Sequence, residues 1–244
     1  MSVTGVVAAL AAEARTLGPR RRRSDGLWAI GDDILVVVSG VGMEAAAAGA
    51  GALVDAGVTA LMSWGMAGGL DPALPAGTIC LPTSVLVRDG TVFATDLHWR
   101  ETVSAAIAAG RGLAHGTMLT SVAALDQVAG KAAAFRETGA VAVDMESAAV
   151  ARVAAAHHLP FIAVRVIVDT AGDAVPAAVV AASGHGQVNL ARLIFGLVLA
   201  PGQIASLVRL ARHYGVARSA LAAVARTGAL APLGAGTASR SRIA

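Results

Sequence analysis

With 244 residues, the chain can bury one sizeable core. Its 56% hydrophobic content is largely alanine, broken by glycine, proline or charge before the ~18 apolar residues a spanning helix needs. A net charge of +3 and a pI near 10.0 would suit an anionic partner, but 3% aromatics leave little surface for stacking bases, so no nucleic-acid partner is expected.

The opening "MSVTGVVAALAAEAR" has no basic leader, so no signal peptide is expected. Its apolar run over 4–10 predicts a buried strand, with Glu13 just beyond it. "PRRRRSD" (19–25) predicts a solvated basic loop. "LWAI" and "DILVVVSG" predict a hairpin turning at "GDD". "SGVGMEA" (39–45) then opens an alanine-rich helix that ends at Gly57. This loop spells G-x-G-x-x-A, the dinucleotide fingerprint, but the next strand, "VTALMSWG" (58–65), ends in Trp64 and Gly65 rather than the acid that would hold ribose. A nicotinamide reading therefore fails. "MAGGLDP" predicts a glycine turn after that strand, and it lacks the lysine of a P-loop. Further strands are predicted in "GTICLPTSVLVRDG" and "TVFATD".

"AVDMESAAVARVAAAHH" predicts a helix stopped by "LP", with Glu146 in its first turns. "FIAVRVIVD" (161–169) has no polar alternation and predicts a strand buried on both faces, ending at Asp169. Residues 185–200 predict a closing helix. The expected fold is α/β: a three-layer α/β/α sandwich around a mixed, mainly parallel central sheet. Residues 1–200 form the predicted catalytic domain. Residues 201–244 form a basic amphipathic helical tail, broken at Gly215 and disordered at its end. It either lies on an anionic membrane surface or packs on the protein. Cys80, the sole cysteine, excludes an internal disulfide and suits the cytoplasm; its apolar strand marks it as core. The six histidines show no metal-ligand spacing, so no metal is expected.

Charged residues make up only 14% of the chain, yet Glu13, Glu146 and Asp169 sit beside strand ends, where α/β sheets place their ligands. Together with "GVVAALAAEA", "VVVSGVGMEAAAAGA", "SWGMAGGLDPALPAGTICLP", "AVDMESAAVA" and "PFIAVRVIVDTAGD", these acids carry a resemblance to the nucleoside phosphorylase and nucleosidase superfamily over residues 4–198. Within it the chain resembles the methylthioadenosine/S-adenosylhomocysteine nucleosidases, and most of all the hopanoid-associated phosphorylases, which act on adenosylhopane.

The resemblance implies an enzyme that releases adenine from a 5′-substituted adenosine. Asp169 then matches the acid that protonates adenine N7, Glu13 the acid that activates water, and Arg165 the arginine joining that network. Glu146 and Met145 match the ribose-holding pair. Leu10 falls where nucleosidases place an apolar side chain against the 5′ substituent, and Met66, Ala67 and Gly68 are expected to line the same site. Leu10, Trp64 and Met66 are expected to make its mouth apolar. Two phosphate-holding positions of the hexameric phosphorylases are occupied by Ser63 and Met66, which leaves Arg15, Ser39, Thr120 and Ser121 as candidates for phosphate. Glu13 is what a hydrolase needs, whereas the hopanoid branch points to phosphate as co-substrate. Phosphorolysis of adenosylhopane is the expectation, and ordinary methylthioadenosine/S-adenosylhomocysteine hydrolysis the alternative. A superfamily member that binds nucleosides without turnover would not need all three acids. No other cofactor is expected, and a homodimer, cytoplasmic or peripheral at the inner membrane face, is.

Overall fold

The structure, a computed structural model, describes residues 2–107, 111–175, 183–184, 187–188 and 204–232. Within these residues a twelve-stranded mixed sheet is covered on both faces, matching the expected α/β sandwich. Its centre is parallel. β1 (Thr4–Ala8) lies between β4 (Ile34–Val38) and β5 (Ala60–Gly69), and β5 also pairs in parallel with β12 (Phe161–Asp169). Antiparallel pairing joins β4 to β3 (Trp28–Ile30), β3 to β2 (Arg21–Arg22), and the far end of β5 to β11 (Ala142–Asp144). The sheet continues through β10 (Thr117–Thr120), β7 (Ser84–Val87) and β8 (Val92–Ala94). β6 (Ile79–Cys80) joins β12 to β9 (Leu113–Ala114).

Alternation along the strands divides the core. Val7 and Leu61 face α2 (Met43–Asp55) and α5 (Ser147–Ala156). Val6, Met62, Val164 and Val166 face α3 (Leu97–Ala106) and α6 (Ile204–Arg226). The short α1 (Ala11–Ala14) follows β1, and α4 (Val128–Thr138) sits over the β10–β11 end. A strand covered on both faces needs apolar residues at every position, which is why "FIAVRVIVD" shows no alternation.

Four segments differ from expectation. "MAGG" is not a turn: β5 runs through it, because β11 and β12 flank the glycines and supply ladder partners as far as Gly69. Two of the four arginines in "RRRR" form β2, an edge strand, with Arg20 and Arg22 stacked on Trp28. The helix read through "AVDMES" starts only at Ser147, since Ala142–Asp144 pair with β10 and leave Glu146 at the N-cap. The predicted closing helix lies largely outside the described residues, although Gln187–Val188 pair with Ser183–Gly184 as a small hairpin.

Within the segment expected to form a tail, Ile204–Arg226 form one continuous helix, α6, running through Gly215 without a break, and residues 233–244 lie outside the described residues. Ala217, Ala220, Leu221 and Val224 are buried against the sheet beside Val164 and Val166. Its outward face carries Val208, Arg212, Val216, Arg218 and Arg226. Among the described residues, no helix is long and apolar enough to cross a membrane.

Candidate active site

The largest cluster of buried charge opens on a cavity of about 330 Å³ at the carboxyl ends of β1, β5, β11 and β12. Each element delivers its side chains for a local reason. After β1, α1 places Glu13 inward, its two oxygens accepting from the Leu10 amide at 3.0 Å and the Met66 amide at 2.8 Å. Along β12 the register slips between Ile167 and Asp169, so that Asp169 pairs with Gly68 and Val168 bulges. In a regular strand, neighbours point to opposite faces; the bulge brings both Val168 and Asp169 to the cavity wall. Glu146, at the N-cap of α5, does not cap its own helix. It reaches instead to the Gly42 amide at 2.9 Å, where Gly42 (φ 101°) turns the chain into α2.

Beneath these acids lies Arg165, essentially without solvent contact. Asp144 pairs with it at 2.7 Å and Glu146 lies at 3.6 Å, while the Ser63 hydroxyl accepts from Nη2 at 2.7 Å. Asp144 is itself fixed by the Thr120 hydroxyl and the Ser147 amide. The other terminal nitrogen, Nη1, has no hydrogen-bond partner among the described residues. It lies against Gly65, where a Cβ would overlap both this guanidinium and the Glu13 carboxylate. Gly65 is thus a spacing residue: its missing side chain is the room in which Glu13 and Arg165 approach.

Three carboxylates around one cation cannot all ionise freely. Burial pushes Glu146 up to about 7 against the pull of Arg165, and raises Glu13 against the same pull. Burial would depress Arg165, but Asp144, Glu146 and Glu13 outweigh it and hold the guanidinium above its ordinary value. Burial also raises Asp169, opposed by the ammonium of Lys131, with which Asp169 is ion-paired.

The structure brings Asp169, Glu13, Glu146, Met145, Leu10, Met66, Ala67 and Gly68 to one cavity, with Arg165 directly behind them. Trp64 is not at the mouth. It is fully buried in the core, its indole nitrogen donating to the Thr16 hydroxyl at 2.9 Å, because it lies below the end of β5, level with Ala8 of β1 and packed with Leu17 and Val164. None of the four phosphate candidates lines the cavity. Thr120 is committed to Asp144, Ser39 to the Gly40 carbonyl and Ser121 to the Ala123 amide, and Arg15 is exposed. Cys80 is core, its thiol pushed up to about 12 by burial.

Sequence reasoning missed Asp144, Ser147, Lys131, and the two α6 residues that complete the wall, Leu210 and Tyr214. Two of these carried a signal. Lys131 is the only lysine and Tyr214 the only tyrosine in the chain.

A profile of the phosphorylase superfamily matches residues 20–198, and the chain belongs to that superfamily. Among solved structures it is similar to a 5′-methylthioadenosine/S-adenosylhomocysteine nucleosidase from Colwellia psychrerythraea in complex with adenine. The TM-score is 0.68 at 19% identity, covering 95% of this chain and 97% of that one. The Neisseria meningitidis nucleosidase in complex with methylthio-immucillin-A gives 0.64 at 19%, covering 90% and 100%. Futalosine hydrolase from Helicobacter pylori gives 0.60 at 17%, covering 69% and 88%. At these identities the likeness is one of fold.

Proposed function

We propose that this protein cleaves the adenine N-glycosidic bond of a 5′-substituted adenosine, with water as the nucleophile. The observation that carries the reading is the ring of acids. Glu13, Asp144, Glu146 and Asp169 all line the cavity, and no lysine or arginine is among its described lining residues. An oxocarbenium-like sugar is cationic and gains from such a field, whereas a phosphate dianion is repelled by it. This reverses the balance between nucleophiles that the hopanoid branch alone suggested.

In this reading Asp169 gives its proton to adenine N7, so that the base departs neutral. Glu146 accepts from the ribose hydroxyls beside Met145 and faces the charge that develops at the anomeric carbon. Glu13, held by two backbone amides and raised by burial, takes the proton of the attacking water. Arg165 keeps Glu13, Asp144 and Glu146 at their separations.

The 5′ end of the site is apolar, with Leu10, Met66, Val41, Leu210 and Tyr214 in the wall. A cavity of about 330 Å³ suits the nucleoside itself, so a long hydrocarbon would leave by the mouth. A lipid-linked adenosine such as adenosylhopane fits this chemistry better than the zwitterionic tail of S-adenosylhomocysteine, for which the described lining offers no cation. The arginines on the outer face of α6 support peripheral contact with an anionic membrane. A methylthioadenosine nucleosidase is the second reading, favoured by the nucleoside-sized cavity.

Adenine release from methylthioadenosine, S-adenosylhomocysteine and adenosylhopane, each with and without phosphate, tests both parts. The expected result is phosphate-independent release, a free ribosyl product by mass spectrometry, and the highest kcat/KM with the lipid-linked substrate. A ribose 1-phosphate product would overturn the water reading. Preference for S-adenosylhomocysteine, with no liposome binding, would overturn the lipid reading.

A further inference from the structure

Lys131 has no assigned part in the chemistry above, yet its surroundings are those of a built site. It projects from α4 and is completely buried. An ammonium has three donors, and each finds an acceptor: the Asp169 Oδ2 carboxylate oxygen, the Thr170 carbonyl at 2.8 Å and the Asp173 carbonyl at 2.9 Å. The Asp173 side chain in turn accepts from the Thr170 amide and hydroxyl and pairs with Arg209 of α6 at 2.8 Å. One ammonium therefore ties the end of β12 to the loop that anchors the cavity's outer wall.

Composition sharpens the point. Lys131 is the only lysine among 19 basic residues, in a chain that uses arginine everywhere else a cation is needed. A planar guanidinium spreads its donors over a fork, whereas an ammonium directs three from one point, as convergent acceptors require. Isolated in an apolar setting it would be costly to bury, so its full complement of partners marks a position where this group is needed.

We propose that Lys131 is the positioning residue for the general acid, holding Asp169 by Oδ2 so that Oδ1 faces adenine N7. The inference rests on the assignment of Asp169 as the proton donor. Among the described residues Oδ1 makes no hydrogen bond, and a side chain on Gly68 would stand against both carboxyl oxygens, 3.2 Å from Oδ2 and 3.7 Å from Oδ1, so the glycine leaves room beside the carboxyl group. As Asp169 gives up its proton it becomes a carboxylate, and the ammonium already in contact with Oδ2 stabilises that charge where it forms. Lys131 thus acts through Asp169 and touches no substrate atom.

A double-mutant cycle on the full chain tests this, with adenine release from 5′-methylthioadenosine as the assay. Lys131→Met is expected to lower kcat by at least about 30-fold with KM changed less than about threefold, because loss of general acid–base catalysis falls in the ~10²–10⁴ range. In the Asp169→Asn background, Lys131→Met should cost no more than about a further threefold, since the acid it serves is already gone. Should the Met variant fail to fold, Lys131→Gln removes the charge while keeping donors for the two carbonyls, and the same pattern is expected. A single variant within threefold of wild-type kcat, or a double variant showing the product of both losses, would overturn the proposal. Wild-type turnover by Asp169→Asn would instead remove Asp169 from the chemistry, and the Lys131 inference with it.

Discussion

Gly65→Ala is the smallest change that should dismantle the charge cluster. Placed on Gly65, a Cβ would stand 2.5 Å from Glu13 Oε1 and 2.8 Å from its carboxyl carbon, and closer still to the Arg165 guanidinium. Ordinary carbon contacts begin near ~3.4 Å, so the two groups must separate by roughly 1 Å in a region with almost no solvent. Overpacking alone costs about 1–3 kcal/mol. Parting buried charges adds a fraction of the about 3–5 kcal/mol that complete removal of one partner from a buried pair costs. A net loss near 3 kcal/mol corresponds to a Tm lowered by about 6–12 °C for a chain of this size. Displacing the groups by about 1 Å should also slow adenine release about a hundredfold. Thermal denaturation and single-substrate kinetics on the purified variant measure both. The cause can be isolated: adding Glu13→Ala to Gly65→Ala should recover part of the Tm, since one of the overlapping groups is gone. A Gly65→Ala protein with Tm within about 2 °C of wild type and undiminished turnover would refute the spacing role.

Asp169→Asn should lower kcat by at least about a hundredfold. It should also destabilise by about 1–3 kcal/mol in denaturant melts, because Lys131 keeps a neutral acceptor but loses its counter-charge. For Glu146 the folded value of about 7 lies above the ordinary 4.5. Between these values the folded state retains a proton that the unfolded chain has lost. The stability contribution of Glu146 is therefore complete below 4.5 and is lost as pH rises through 7, a change of about 3 kcal/mol. Melts across this range should fall for wild type and stay flatter for Glu146→Gln. Leu221→Ala, on the buried face of α6, should cost about 2–5 kcal/mol in the same assay. Tyr214→Ala, on the face toward the cavity, should raise KM for nucleosides with an apolar 5′ group while changing kcat little.

Much of the fold was legible in the sequence, for a physical reason. Elements whose character depends on local pattern, such as the doubly buried strand over 161–169 or the alanine-rich helix opening at "SGVGMEA", announce themselves through periodicity and caps. The three acids stood out because a chain with so little charge had placed them beside strand ends. What depended on neighbours was not legible. "MAGG" reads as a turn until β11 and β12 supply partners on either side and keep it extended. Val168 and Asp169 face the same cavity only because the β5–β12 register slips by one residue. Trp64 looked like a cavity wall from its proximity to the glycines, but the elements packed around β5 enclose it in the core, and Met66, two residues further along the same face, reaches the cavity instead.

The charges themselves show the same division. Sequence by itself determined which ionisable groups the chain owns, among them 16 acids, an arginine in a buried strand and a single lysine. Tertiary structure decided their pairing, because pairing distances are set by which strands adjoin and which glycine leaves a gap. Lys131 lies 38 residues before the acid it holds. Likewise, the helix that reads as a separable basic tail completes the cavity with Leu210 and Tyr214, since its apolar face matches the exposed edge of the core. Composition can state that such a face must be covered; only the folded chain decides what covers it.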